Sequence, residues 1–136
     1  MIMEEEIKFS ILTGKTILNV RALQGLPEGD MVIFQCDDGK SYMLSHVEDC
    51  CESVMIESIS GSLRDLIDTP ILLAEEATSH EDQPNQRAEY VEETQTWTFY
   101  RLRTIKGSVD IRWYGTSNGH YSESVDFTEI KPLPAH

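Results

Sequence analysis

Three arginines and five aromatic rings crowd into one short stretch of an otherwise acidic chain: Trp97, Phe99, Tyr100, Arg101, Arg103, Arg112, Trp113 and Tyr114. Guanidinium forks grip phosphate and carboxylate groups in two-pronged fashion, and aromatic faces stack on planar rings. Asn118, His120 and Ser122 follow at once and add an amide, an imidazole and a hydroxyl. The chemistry on offer is capture of a small, planar, anionic ligand of the nucleotide kind.

Other reactive types are spaced less tellingly. His46, Asp49, Cys50, Cys51 and Glu52 concentrate metal-ligand types, but adjacent cysteines on a strand point to opposite faces and cannot easily share a tetrahedral site. A Cys–His nucleophile built from Cys50 or Cys51 with His46 or His120 would lie among acids, which hold a thiol protonated. Glu75-Glu76 reads as solvated strand-end acid. No glycine-rich phosphate loop, Ser-His-Asp order or HExxH helix is present. The expectation is a binding protein rather than an enzyme, with no cofactor and no metal.

The elements that must position the arginines read as a hairpin. Thr96–Ile105 and Ser108–Tyr114 alternate, and Lys106-Gly107 suits a two-residue turn. That register sets Ile105 opposite Ser108, Thr104 opposite Val109, Leu102 opposite Ile111 and Tyr100 opposite Trp113, an apolar face for the core. The other face then carries Trp97, Phe99, Arg101 and Arg103 against Asp110, Arg112 and Tyr114. Arg103 meets Asp110, and Arg101 meets Arg112. Like charges directly opposed on a sheet repel, so this couple calls for an anion, or for acids such as Glu89, Glu92 and Glu93 folding over it. The turn signal Gly115–Gly119 predicts a further strand from Tyr121 through Phe127, bringing His120, Ser122 and Ser124 beside Tyr114, Arg112 and Asp110. Glu123 falls on the core side, which predicts a bulge or a sheet edge there.

Strand patterns also run over Lys15–Leu23, Met31–Cys36, Ser41–Val47, Glu52–Ile59 and Ile71–Ala77, and Asp38-Gly39 marks a hairpin between the second and third. Ser62–Ile67 predicts one short helix, with Ser62 as N-cap and Asp65 as its capping-box partner. Thr78–Glu93 is polar and without period, and reads as a mobile loop. The fold class expected is β-dominated α+β: an antiparallel sheet folded as a small sandwich or partly open barrel, in one domain spanning residues 1–136.

Charge bounds the partners. The net charge is −13, with six bases against 20 acids in residues 1–96 and five bases against four acids in 97–136. Such an excess disfavours general nucleic-acid binding, which depends on cations that displace counterions. No apolar run approaches membrane-spanning length, the N-terminal Met-Ile-Met-Glu-Glu-Glu is unlike a secretory signal, and three cysteines, two of them adjacent, make no disulfide framework. A cytoplasmic location is expected.

The segments "HVEDCCESVMIESISGSLRDLIDTPILLAEE" (46–76) and "TWTFYRLRTIKGSVDIRWYGTSNGHYSESVDF" (96–127) resemble a family of small uncharacterised bacteriophage and bacterial proteins. The resemblance implies a phage-type accessory factor, with counter-defence as the role suggested by analogy. Two functions follow. One is capture of a nucleotide-like anion by Phe99, Arg101, Arg112, Tyr114, Asn118, His120 and Ser122. The other is an acidic inhibitor docking on a basic protein. Either is compatible with a homo-oligomer.

Overall fold

Alternation decides the fold. In the two longest strands every second residue is buried, so each strand lays one apolar row on a core and shows the other row to water. The computed structural model describes residues 3–48, 51–82, 94–117 and 122–131. Among the described residues nine strands form two antiparallel sheets: β1 (Met3–Glu6), β2 (Ile17–Leu23), β3 (Met31–Cys36), β4 (Ser41–Ser45), β5 (Ser53–Ser60), β6 (Leu73–Asp82), β7 (Thr94–Thr104), β8 (Gly107–Ser117) and β9 (Asp126–Lys131). One sheet runs β1-β9-β4-β3-β2 and the other β5-β8-β7-β6. Neither closes into a barrel.

The sheets share one core. Val32, Phe34, Tyr42, Leu44 and Phe127 come from the first, Ile56, Tyr100, Leu102, Ile111 and Trp113 from the second. Phe9, in a 3-10 turn over Phe9–Leu12, joins them: its ring meets Tyr100 edge-on at 4.7 Å and Phe127 at 5.1 Å. Such contacts add about 0.5–1.5 kcal/mol each beyond the area they bury. Tyr42 stacks on Phe127 at 5.5 Å.

Several expectations hold. Met31–Cys36 and the strand after it form a hairpin through Asp37-Asp38-Gly39-Lys40, with Gly39 at φ +83° and Lys15 Nζ reaching Asp38 at 2.6 Å. The predicted short helix is a single 3-10 turn, Leu63–Leu66, and the Ser62 side chain makes no cap bond. Two expectations fail. Thr78–Asp82, read as loop, extends β6 and pairs residue for residue with Thr94–Thr98; the rest of that stretch, residues 83–93, lies outside the described residues. The strand expected from Tyr121 begins only at Asp126. It leaves its sheet altogether and inserts between β1 and β4. The reason is that β8 already has β5 as its second neighbour.

No helix among the described residues is long and apolar enough to cross a membrane.

Candidate functional site

The β7–β8 hairpin has the expected faces but another register. Its closing pair is Thr104 opposite Gly107, so Ile105-Lys106 is the turn, and each predicted pairing shifts by two residues. A two-residue shift preserves which side every residue faces, so the apolar and polar rows survive. The cause lies outside the hairpin. Asp65 sits against Gly107, where a Cβ would come within 2.8 Å of its carboxylate, so this glycine is a strand residue under a close neighbour rather than a turn residue. Thr104 donates its hydroxyl to the Asp65 carbonyl and accepts the Lys106 N–H, while Lys106 Nζ reaches the Ile67 carbonyl at 2.6 Å. The 3-10 turn thus clamps the hairpin end.

The shift dissolves the arginine couple. Arg101 lies opposite Asp110, and Arg112 lies opposite Phe99. On the outer face of the four-stranded sheet the residues form rows across the strands. In one row Arg101 stands between two acids, with Nε 3.0 Å from Asp110 and Nη1 3.6 Å from Glu75. In the next, Arg112 Nε lies 2.7 Å from Glu57. Glu57 is the extra residue where the β5 register shifts between Ile56 and Ser58, so a bulge aims this carboxylate. These pairs are roughly half exposed, and each contributes about 0.2–1 kcal/mol. The neutralising acids are therefore Asp110, Glu75 and Glu57; the proposed Glu89, Glu92 and Glu93 lie outside the described residues.

The third row is apolar: Met55, Tyr114 and Trp97 cross the sheet, with Phe99 and Ala77 one row away. The Trp97 and Tyr114 rings tilt together at 5.1 Å, and Met55 and Phe99 are exposed. Phe99, Arg101, Arg112 and Tyr114 do share one face. Ser122 does not join them: it is exposed, and its hydroxyl lies 2.8 Å from that of Ser124, in the stretch leading to β9. Asn118 and His120 lie outside the described residues.

A second polar cluster lies at the other side of the same sheet, where its inner face changes from apolar to hydroxyl-bearing. Glu123 is buried on the core side, as its position in the alternation implies, and Thr94, Thr96 (2.7 Å) and Ser117 (2.6 Å) donate their hydroxyls to its carboxylate. Gly115 permits this approach, since a Cβ there would come within 2.9 Å of the Glu123 Cβ. His46 is held at both ring nitrogens. Nδ1 lies 2.7 Å from the Ser124 carbonyl and Nε2 lies 2.8 Å from the buried Glu52 carboxylate. Because a carbonyl only accepts, Nδ1 carries a proton, and the contact to Glu52 needs a second one, on Nε2 or on the carboxyl. The period-2 pattern could have placed Glu52 on the inner face; nothing in the sequence marked His46 as its partner.

Cys36 is free and buried, and burial pushes its thiol up to about 11. Cys51 is disulfide-bonded, against the expectation of reduced cysteines. Among the described residues no cluster of three or more histidine, cysteine or acidic side chains could hold a metal ion.

One family model matches the chain: its description is "Domain of unknown function (DUF7448)", and the match covers residues 10–127. No curated protein and no solved structure matches.

Proposed function

From the premise that this chain belongs to the DUF7448 family, we propose that it is a non-enzymatic accessory protein that docks its acidic surface on a basic partner protein. One observation carries the reading: both arginines at the centre of the basic island are engaged by carboxylates of their own sheet, Arg101 by Asp110 and Glu75 and Arg112 by Glu57. The island therefore cancels itself, and the molecule meets its surroundings with a net charge of −13. Complementary charge speeds association and sets specificity. The non-enzymatic part is supported at His46, whose two ring nitrogens are both engaged within the protein. The resemblance of residues 46–76 and 96–127 to small phage proteins supports a role inside an infected cell's cytoplasm, with interference in host defence as the function of such docking.

A second reading keeps the outer face as a ligand platform. Its support is that Arg112 lies beside Phe99 and the Trp97–Tyr114 pair, with its side chain 45% exposed. A planar anion could displace Glu57 and stack there.

Calorimetric titration separates the two. Basic peptides are expected to bind with an affinity that falls steeply with salt, and Glu76→Lys combined with Glu81→Lys and Asp82→Lys should abolish binding, while Arg101→Ala and Arg112→Ala leave it unchanged. A stoichiometric nucleotide hit lost in both arginine variants would instead establish the platform.

A further inference from the structure

The four-stranded sheet has two edges, and they are finished differently. At β5 the middle of the edge is capped at one residue by the loop between β2 and β3: the Ile56 N–H donates to Asp30 Oδ2 at 2.9 Å, and Gln24 Nε2 reaches the Ile56 carbonyl at 3.4 Å. At β6 no such cap exists among the described residues. Beyond the ladder to β7, no backbone or side-chain hydrogen bond from a described residue reaches the main chain of Leu73–Asp82. Alternate residues of an edge strand turn their N–H and C=O outward, so this ten-residue strand presents an open ladder about 33 Å long.

Beyond the buried Ala74, the inner side of β6 is uncovered as well. Glu76 and Thr78 face the same way as their cross-strand neighbours Tyr100 and Thr98, which are buried, yet both are exposed. Beneath them opens a groove of ≈650 Å³ whose lining includes Ile7, Lys8, Phe9, Glu76, Val125 and Phe127. Its floor is apolar, and on the β6 side its lip carries Glu75 and Glu76, with Lys8 also in the lining. The sandwich has a place for one more strand here, over side chains already part of the core.

We infer that the free edge of β6 is completed by an extended, basic segment of a partner protein, added to the sheet as a further strand. This rests on the docking reading above and specifies where and how such a partner binds. Charge decides the occupant. The strand carries Glu75, Glu76, Glu81 and Asp82 and no lysine or arginine, so a second copy of this chain would bring another net −13 against it. A lysine or arginine on the added strand lays its aliphatic stem along Val125 and Phe127 and its charge at Glu76. Main-chain bonds supply affinity and the alternate side chains supply selectivity.

The test uses the intact protein and two decapeptides, one alternating lysine with valine and one alternating lysine with proline. The charge is equal, but proline has no N–H to donate and cannot sit in a ladder. Amide hydrogen exchange is read residue by residue. The lysine-valine peptide is expected to raise protection about tenfold or more at alternate β6 residues, with β8 unchanged and the lysine-proline peptide without effect. Absence of new protection in β6 overturns the inference. If both peptides bind in a salt-sensitive way without that protection, docking on acidic surface survives and strand addition falls. If neither binds, the inference falls and the docking reading loses its basic-peptide ligands too.

Discussion

At the scale of single residues, burial and hydrogen bonding set reactivity in ways that residue type does not. Cys36 sits on β3 with its side chain in the core, and desolvation, with Asp38 nearby, moves its thiol from 9.0 to about 11. Native Cys36 should therefore resist alkylation near neutral pH and become labelled only as fast as the chain opens, which site-resolved mass spectrometry with and without denaturant will read. The sign of the stability effect follows. A raised folded-state value means that the folded chain keeps its proton while the unfolded chain releases it, so this contribution is whole below about 9 and is lost as pH rises toward 11. Glu123 is the other residue whose environment outweighs its type. Replacing it with alanine removes the acceptor that Thr94, Thr96 and Ser117 share, and should cost about 3 kcal/mol in urea denaturation. Glu123→Gln keeps one acceptor in place and should cost about 1 kcal/mol. Equal losses in the two variants would mean that the hydroxyls find other acceptors.

Elements show what a sequence can and cannot say. Faces were legible: the alternation of Thr96–Ile105 and Ser108–Tyr114 placed Leu102, Tyr100, Ile111 and Trp113 in the core and both arginines outside, and the structure agrees. Met31–Cys36, the Asp38-Gly39 hairpin and the inward Glu123 were legible for the same reason, because period and turn chemistry are local. Register was not. It depends on Asp65 packing against Gly107 and on the threonine and lysine bonds that fasten the turn, contacts some 40 residues apart in sequence. The β5 bulge that delivers Glu57 to Arg112 has no signature in residue type. Polarity misled for Thr78–Asp82: its residue types make no apolar row to announce a strand, and pairing with β7 holds it in the sheet. Of the candidate ligand residues, then, the four that alternation alone could place are together, and Ser122, whose placement required the strand order, is not.

For the molecule as a whole, charge is the dominant fact. Twenty-four acids and 11 bases on 136 residues repel one another in the folded state more than in an expanded chain. Screening should therefore stabilise the fold: raising sodium chloride from about 0.05 to 0.5 M is expected to lift Tm by a few degrees, since the Debye length shrinks from roughly 14 to 4 Å. The expected rise is small because pairs such as Lys15–Asp38, Arg101–Asp110 and Arg112–Glu57 weaken under the same screening. A Tm that falls with salt would show that those pairs outweigh the general repulsion.

The unequal finish of the two sheet edges sets a limit on assembly. A strand laid on β6 finds the far side of its own sheet stopped by Asp30 and Gln24 at β5. A sheet stopped at one border and open at the other can be lengthened once by a guest but cannot pass the pattern on through itself. Occupancy at this border should saturate at one guest per chain, giving a finite pair in place of a fibre.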